Sequence, residues 1–213
     1  TKVDPDDFTI DRWVTNPDIR RRGWKMHLDG ELWGARSSVL PNDGHRAIVR
    51  LRDAGRLAGV VTQNVDGLHH KSGLGDEFVA ELHGNVRSCH CLSCDGRWPT
   101  ETVLGWIEAG DEDPRCPRCA DLVKTDTILF GEMLPEPEVR KAGVFLAVAD
   151  AVLVVGSTVS VWPAADVVVR AANQGRPIVV INKGPTDVDN IATCRIEGGI
   201  GEILPGLLDR VLG

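Results

Sequence analysis

The sequence predicts an α/β fold: a parallel sheet flanked by helices, a small helical module ahead of it, and an inserted cysteine module. Three observations predict this. The runs at 151–155 and 177–181 are apolar, β-branched and unbroken, as in strands covered on both faces. Segments of helical period separate such runs, the alternation that crossover helices impose on a parallel sheet. Five of the six cysteines fall within residues 86–123, where continuous apolar pattern fades.

Taken in order, residues 1–42 read as the helical module. Phe8, Ile10, Trp13 and Val14 give a partial helical face, and Asn16-Pro17 punctuates it. Arg20-Arg21-Arg22 is expected on a solvated helix face. Trp24 and Trp33 are expected to pack the segment onto the rest. Leu40-Pro41-Asn42-Asp43-Gly44-His45 is a turn and helix start, with His45 in a packing role. The Ala47, Ile48, Leu51 stripe stops at Gly55. Strands follow at 57–61 and 78–82. In the cysteine module, Trp98, Val103, Leu104, Trp106 and Ile107 form a helix-like cluster, followed by an acidic turn, Asp111-Glu112-Asp113-Pro114. The sheet is then expected to resume with a strand at 125–130, a helix at 135–149 and a strand at 151–155. A helix at about 163–173, a strand at 177–181 ending at Asn182, a last strand at 192–196 and an amphipathic helix at 201–212 complete the chain. The division is 1–42 for the helical module, 43–85 with 124–213 for the sheet domain, and 86–123 for the cysteine module.

The 213 residues carry a formal charge of -7 and are 42% hydrophobic, which suits a globular protein and argues against nucleic-acid binding, since that needs a basic face. An acidic surface favours basic partners such as lysine-rich protein segments. No apolar run approaches the ~20 residues of a membrane span, and the first residues are polar and acidic, unlike a secretion signal. Paired Cys-x-x-Cys words without such a signal favour metal over disulfides and a reducing, cytoplasmic setting.

Cys91-x-x-Cys94 and Cys116-x-x-Cys119 lie twenty-one residues apart. Each pair can turn two thiolates onto one ion, and four sulfurs close a tetrahedral shell suited to structural zinc. A small insert with little core of its own needs such a staple. Cys89 lacks the spacing and is left out; Cys194 is expected to be a small core residue.

Three strand ends collect small and polar residues: Gln63-Asn64-Val65-Asp66, Gly156-Ser157-Thr158 and Asn182-Lys183-Gly184. Ligands of open α/β sheets bind beyond the carboxyl ends of strands, so three such ends argue for a nucleotide pocket. His83 ends the 78–82 run in the same way. Taken singly, Gly156-Ser157-Thr158 is also an ordinary turn, and His83 also a hydrogen-bonded loop histidine.

The words Thr62-Gln63-Asn64-Val65-Asp66-Gly67-Leu68-His69, Glu81-Leu82-His83-Gly84 and the paired cysteines closely resemble the sirtuins, over nearly all of the chain. The resemblance implies a Rossmann-like sheet with a four-cysteine zinc module, and NAD-dependent removal of an acyl group from protein lysine, releasing nicotinamide and acyl-ADP-ribose. It implies that His83 is the general base, with Asn64 and Asp66 orienting the nicotinamide ribose and amide. Gln63 and Val65 would belong to the same pocket. Gly156, Ser157 and Thr158 would face the adenosine and phosphates, Asn182, with Lys183 and Gly184, the adenosine ribose, and Gly199 and Ile200 the adenine. An extended substrate strand would lie along Phe130-Gly131-Glu132, with Phe130 and Val161 lining the acyl channel.

The sequence departs from the family in places. The Gly-Ala-Gly-rich phosphate loop and the Pro-Asp-Phe-Arg segment do not occur; the expectation is that they precede Thr1. Gly156-Ser157-Thr158 stands where Gly-Thr-Ser is usual, and Lys124-Thr125 where Arg-Pro is common. There is no tyrosine, so the tyrosine–arginine pair that accepts acidic acyl groups is not formed by these residues, and a neutral acyl group is expected. Two rival readings are transfer of ADP-ribose to a protein and a zinc-stabilised binding module without NAD turnover.

Overall fold

The computed structural model describes residues 8–31 and 34–212; Trp33, expected to pack the helical module, lies outside them. Contacts divide the chain into two units. One holds the residues up to Val39, Gln63–Gly67 and His83–Pro135; the other holds Leu40–Thr62, Leu68–Leu82 and the chain from Glu136 onwards.

In the first unit, α1 (Ile10–Thr15) and α2 (Pro17–Asp29) follow each other directly. Thr9 caps α1, and Asn16 caps α2 with proline at its first position, so the sequence supplies both helix starts. The cysteine segment forms an antiparallel sheet, order β4-β3-β5, from β3 (Ser88–Cys91), β4 (Arg97–Pro99) and β5 (Val123–Thr125), with α5 (Thr100–Glu108) beside it. The helical and cysteine segments share one core: Trp13, Trp24, Cys89, Cys91, Val103, Leu104, Cys116 and Val123.

Two expectations are corrected here. Arg20 is not on a solvated face. It is 3% exposed and pairs with Asp113 through two 2.7 Å hydrogen bonds, because the acidic turn folds back onto α2. No strand covers 125–130: β5 ends at Thr125, and it pairs antiparallel with β3. The Lys124 ammonium donates to the carbonyls of Thr125 and Thr127 and so pulls the chain out of line. Only a bridge between Thr9 and Phe130 remains of the expected strand.

In the second unit, α3 (Asp43–Asp53) begins in a capping box. The Asn42 side chain accepts the His45 amide, and the His45 ring accepts the Asn42 amide, so His45 is structural as expected. β1 (Val60–Thr62) pairs in parallel with β2 (Val79–Glu81); α4 (Leu68–Lys71) lies between them in sequence. β6 (Val152–Val155), β7 (Ile178–Asn182) and β8 (Cys194–Glu197) form a parallel sheet in that order. The helices are α6 (Glu136–Val148), α7 (Asp166–Asn173) and α8 (Ile200–Leu212). Ile178, Val180 and Ile181 of the central strand are fully buried, as its unbroken apolar run requires. Cys194, expected in the core, is exposed, because it opens β8, the edge strand, whose first two residues are both exposed. The helix expected from 163 starts at Asp166, after a turn.

Candidate functional site

Beyond β1 the loop Gln63–Gly67 is laid along the segment that follows β2. The Leu82 amide donates to the Thr62 carbonyl at 2.9 Å, and the Val86 amide donates to the Val65 carbonyl at 3.1 Å. Between these rungs, His83 Nδ1 lies 3.1 Å from the Gln63 carbonyl oxygen. A carbonyl only accepts, so Nδ1 carries the hydrogen and Nε2 keeps the lone pair. Burial lowers the His83 pKa; the Gln63 carbonyl opposes this only in part. The ring is therefore neutral at pH 7 and presents a basic nitrogen.

The glycine beside it has no substitute. Gly84 has φ +67°, and a Cβ there would stand 1.8 Å from the Asp126 carbonyl oxygen. Gly67 has φ +68° and lies under the Arg87 side chain, whose Nη1 would be 2.9 Å from an added Cβ. In this loop Asn64 is exposed, while Gln63, Val65 and Asp66 are half-buried. Phe130 and Gly131 are exposed and Glu132 half-buried.

The four expected metal ligands come together. Cys91, Cys94, Cys116 and Cys119 place their sulfurs within 4.8 Å of one another, with 3.4 Å between Cys91 and Cys119 and 3.6 Å between Cys94 and Cys116. Zinc–sulfur bonds of about 2.3 Å in a tetrahedron set sulfurs roughly 3.8 Å apart, so the donor set fits zinc. Backbone amides of Ser93 and Arg118 point at the Cys91 and Cys116 sulfurs at 3.4 Å, as in a knuckle. Cys89 is no ligand: its sulfur meets the Thr100 hydroxyl, and burial pushes the thiol up to about 12.

The second unit contains an open cavity of about 490 Å³. Gly156, Asn182 and Lys183 line it from the carboxyl ends of β6 and β7, Gly198–Glu202 from the start of α8, and Asn42 and Asp43 from the start of α3. Two helix N-termini thus border it, which favours an anionic or strongly polar ligand. A Cβ added at Gly156 would meet nothing within 4 Å, so the space above β6 is open to a ligand. The starts of α3 and α8 approach closely because Gly44 has no side chain: a Cβ there would stand 2.9 Å from Ile200.

Of the residues expected at a nucleotide, Gly156, Asn182, Lys183, Gly199 and Ile200 line this cavity, whereas Ser157, Thr158 and Gly184 do not. Ser157 and Thr158 serve their own loop. The Ser157 hydroxyl accepts the Val159 amide, and the Thr158 hydroxyl meets Ser160. They hold Val159 at φ +56°, a costly conformation for a β-branched residue and one that marks a constrained loop. Gly184 is bound to Glu197 and Arg195. Asn42 and Asp43 were read from sequence only as a helix start; a capping asparagine carries no sign that its helix borders a cavity. Val161 is 37% exposed.

A family model described as "Sir2 family" matches residues 9–163, more than half of the chain. NAD-dependent protein deacetylase 2 of Streptomyces coelicolor is 40% identical over 205 residues, covering 96% of this chain and 83% of its own length. The NAD-dependent protein deacylase of Pyrococcus furiosus is 39% identical over 202 residues, covering 93% and 80%. Among solved structures, one of Sir2 bound to acetylated peptide matches with a TM-score of 0.85 at 29% identity, covering 96% of this chain and 83% of that one. On these matches the chain belongs to the Sir2 family.

Proposed function

We propose that the protein is an NAD-dependent protein-lysine deacylase that releases nicotinamide and an acyl-ADP-ribose. Kinship with the deacetylase and deacylase above gives the activity. The observation that carries it to particular atoms is the His83 tautomer, fixed by the Gln63 carbonyl, which leaves Nε2 as the proton acceptor.

NAD, when bound, supplies a cleavable bond between ribose and nicotinamide and a sugar that receives the acyl group. His83 draws a proton from a ribose hydroxyl, a task for which a neutral imidazole is suited at pH 7. Asn64 and Asp66, with Gln63 and Val65, orient the nicotinamide ribose and its amide; a fixed carboxylate there also favours positive charge developing on the sugar. Asn182, Lys183, Gly156 and Ile200 take the adenosine end, supported by the open space they line, with Ser157, Thr158 and Gly184 shaping the loops behind them. Phe130, Gly131, Glu132 and Val161 take the acylated lysine and its backbone. The four cysteines would hold zinc as a structural ion, since four protein ligands leave no open coordination position. Thiolates kept for a metal suit a reducing, cytoplasmic setting. No described helix is long and apolar enough to cross a membrane.

The test is product analysis. The protein, made from its complete gene, is incubated with NAD and an acetyl-lysine peptide. Mass spectrometry should find deacetylated peptide, nicotinamide and acetyl-ADP-ribose in equal amounts. ADP-ribose attached to protein, without deacylation, would support the transferase instead.

A further inference from the structure

Lys124 is 1% exposed, among the most buried side chains of the molecule. An ammonium has three donors, and here each finds an acceptor: the carbonyls of Thr125 and Thr127, and the Glu132 carboxylate at 3.0 Å. Glu132 is itself committed, since it also accepts the Leu129 amide at 2.7 Å. The irregular stretch from Asp126 to Glu132 is thus wrapped around a buried charge.

That stretch touches two things that matter to the reaction. At one end the Ile128 amide donates to the His83 carbonyl at 2.8 Å, and the Asp126 carbonyl packs against Gly84. At the other it presents Phe130, 59% exposed, whose own amide and carbonyl are held by Phe8 and Ile10. Burying a lysine costs stability that an apolar residue of similar size would not, so its return lies in holding one conformation.

We infer that Lys124 is a positioning residue for the acyl-lysine substrate: it fixes the 126–132 loop so that the base and the peptide-binding edge keep one spacing. This rests on the deacylase reading for its kinetic consequence, but not for its structural one.

The experiment compares wild type, Lys124→Met and Lys124→Arg in the zinc-loaded protein. In Lys124→Met the kcat/KM for acetyl-peptide should fall at least about tenfold, the order expected when a reacting group is displaced by a fraction of an ångström, with KM for NAD nearly unchanged. Lys124→Arg, which keeps charge and donors, should recover most of the loss. Equal losses in both variants, an equal rise in the KM for NAD, or no loss in Lys124→Met would overturn the inference. Amide exchange is read in parallel. In wild type, Ile128, Leu129 and Glu132 should be protected as strongly as β5, and in Lys124→Met they should lose protection while β5 keeps it. Wild-type exchange at unstructured rates overturns the inference even where the variants fail to fold. A wild type that protects these amides but does not deacylate sinks the functional reading alone.

Discussion

At His83 two influences oppose each other: burial favours the neutral ring, and the Gln63 carbonyl favours the protonated one, with burial the larger. In the proposed reaction His83 takes up a proton, so it works only when neutral. Activity should therefore fall on acidification with a midpoint below the ordinary imidazole value of about 6.5. A kcat/KM profile whose acid limb is centred at or above that value would contradict the assignment. His83→Ala should cost about 10²- to 10⁴-fold in turnover with little change in melting, since a base is removed from a half-buried ring. His27 gives a stability effect of known sign. Burial holds its pKa down at about 4, and its Nδ1 accepts the Ala35 amide at 3.2 Å, which only a neutral ring can do. The unfolded chain takes up a proton near 6.5 and the folded one does not until about 4. The stabilisation is therefore present above pH 6.5 and is lost as pH falls toward 4, by up to about 3 kcal/mol. Urea midpoints across that window should drop in wild type and stay flatter in His27→Gln.

Among elements, α2 shows what a charge pattern hides. Its buried residues are Ile19, Arg20 and Trp24, and Arg20 does more than pair with Asp113. Its Nη1 donates to the Trp13 and Val14 carbonyls at 2.8 and 3.1 Å, which satisfies the open end of α1. Burial pushes the Asp113 carboxyl up, but the Arg20 hydrogen bonds and the charges of Arg20, Arg115 and Arg21 together hold it below the usual carboxylate range. Arg20→Ala leaves Asp113 and two carbonyls without their donor, so it should cost about 3–5 kcal/mol in chemical denaturation, whereas Arg22→Ala, at an exposed position of the same run, should cost little. In sequence, Arg20 is one of three adjacent arginines, and nothing local says which one turns inward. The same limit explains the strand that stops at Thr125, where a lysine two residues from Asp126 bends the chain, and the exposed Cys194, whose edge position depends on strand order. The strands at 151–155 and 177–181 were legible because burial on both faces demands unbroken apolar runs. The gathering of the four cysteines was legible because metal-binding knuckles fix residue type and spacing. Asn42 and Asp43 were not, since only packing of α3 against α8 brings them to the cavity with Asn182.

For the whole molecule, the core of the first unit has an unusual composition: three of its eight fully packed residues are cysteines, and two of those, Cys91 and Cys116, belong to the four-cysteine cluster that fits zinc. The metal site and the hydrophobic core are therefore one structure. Stripping zinc would leave four thiols crowded within 4.8 Å and, above their pKa values, mutually repelling charges inside that core. The consequence should spread to Trp13 and Trp24, and so to α1 and α2, as well as to the knuckles. The second unit has cores of its own, around Ile178 and Val180 and around Ile48 and Leu204, with no cysteine in them. Chelation should then speed amide exchange in α1, α2, α5 and the β4-β3-β5 sheet while the β6-β7-β8 sheet keeps its protection. Nicotinamide release should cease, because His83 and the Gln63–Gly67 loop belong to the unit that loosens. Cys116→Ser should reproduce both effects with about one zinc per chain lost. Uniform loosening of both sheets on chelation, or full activity in zinc-free protein, would show that the metal does not hold the first unit in this way.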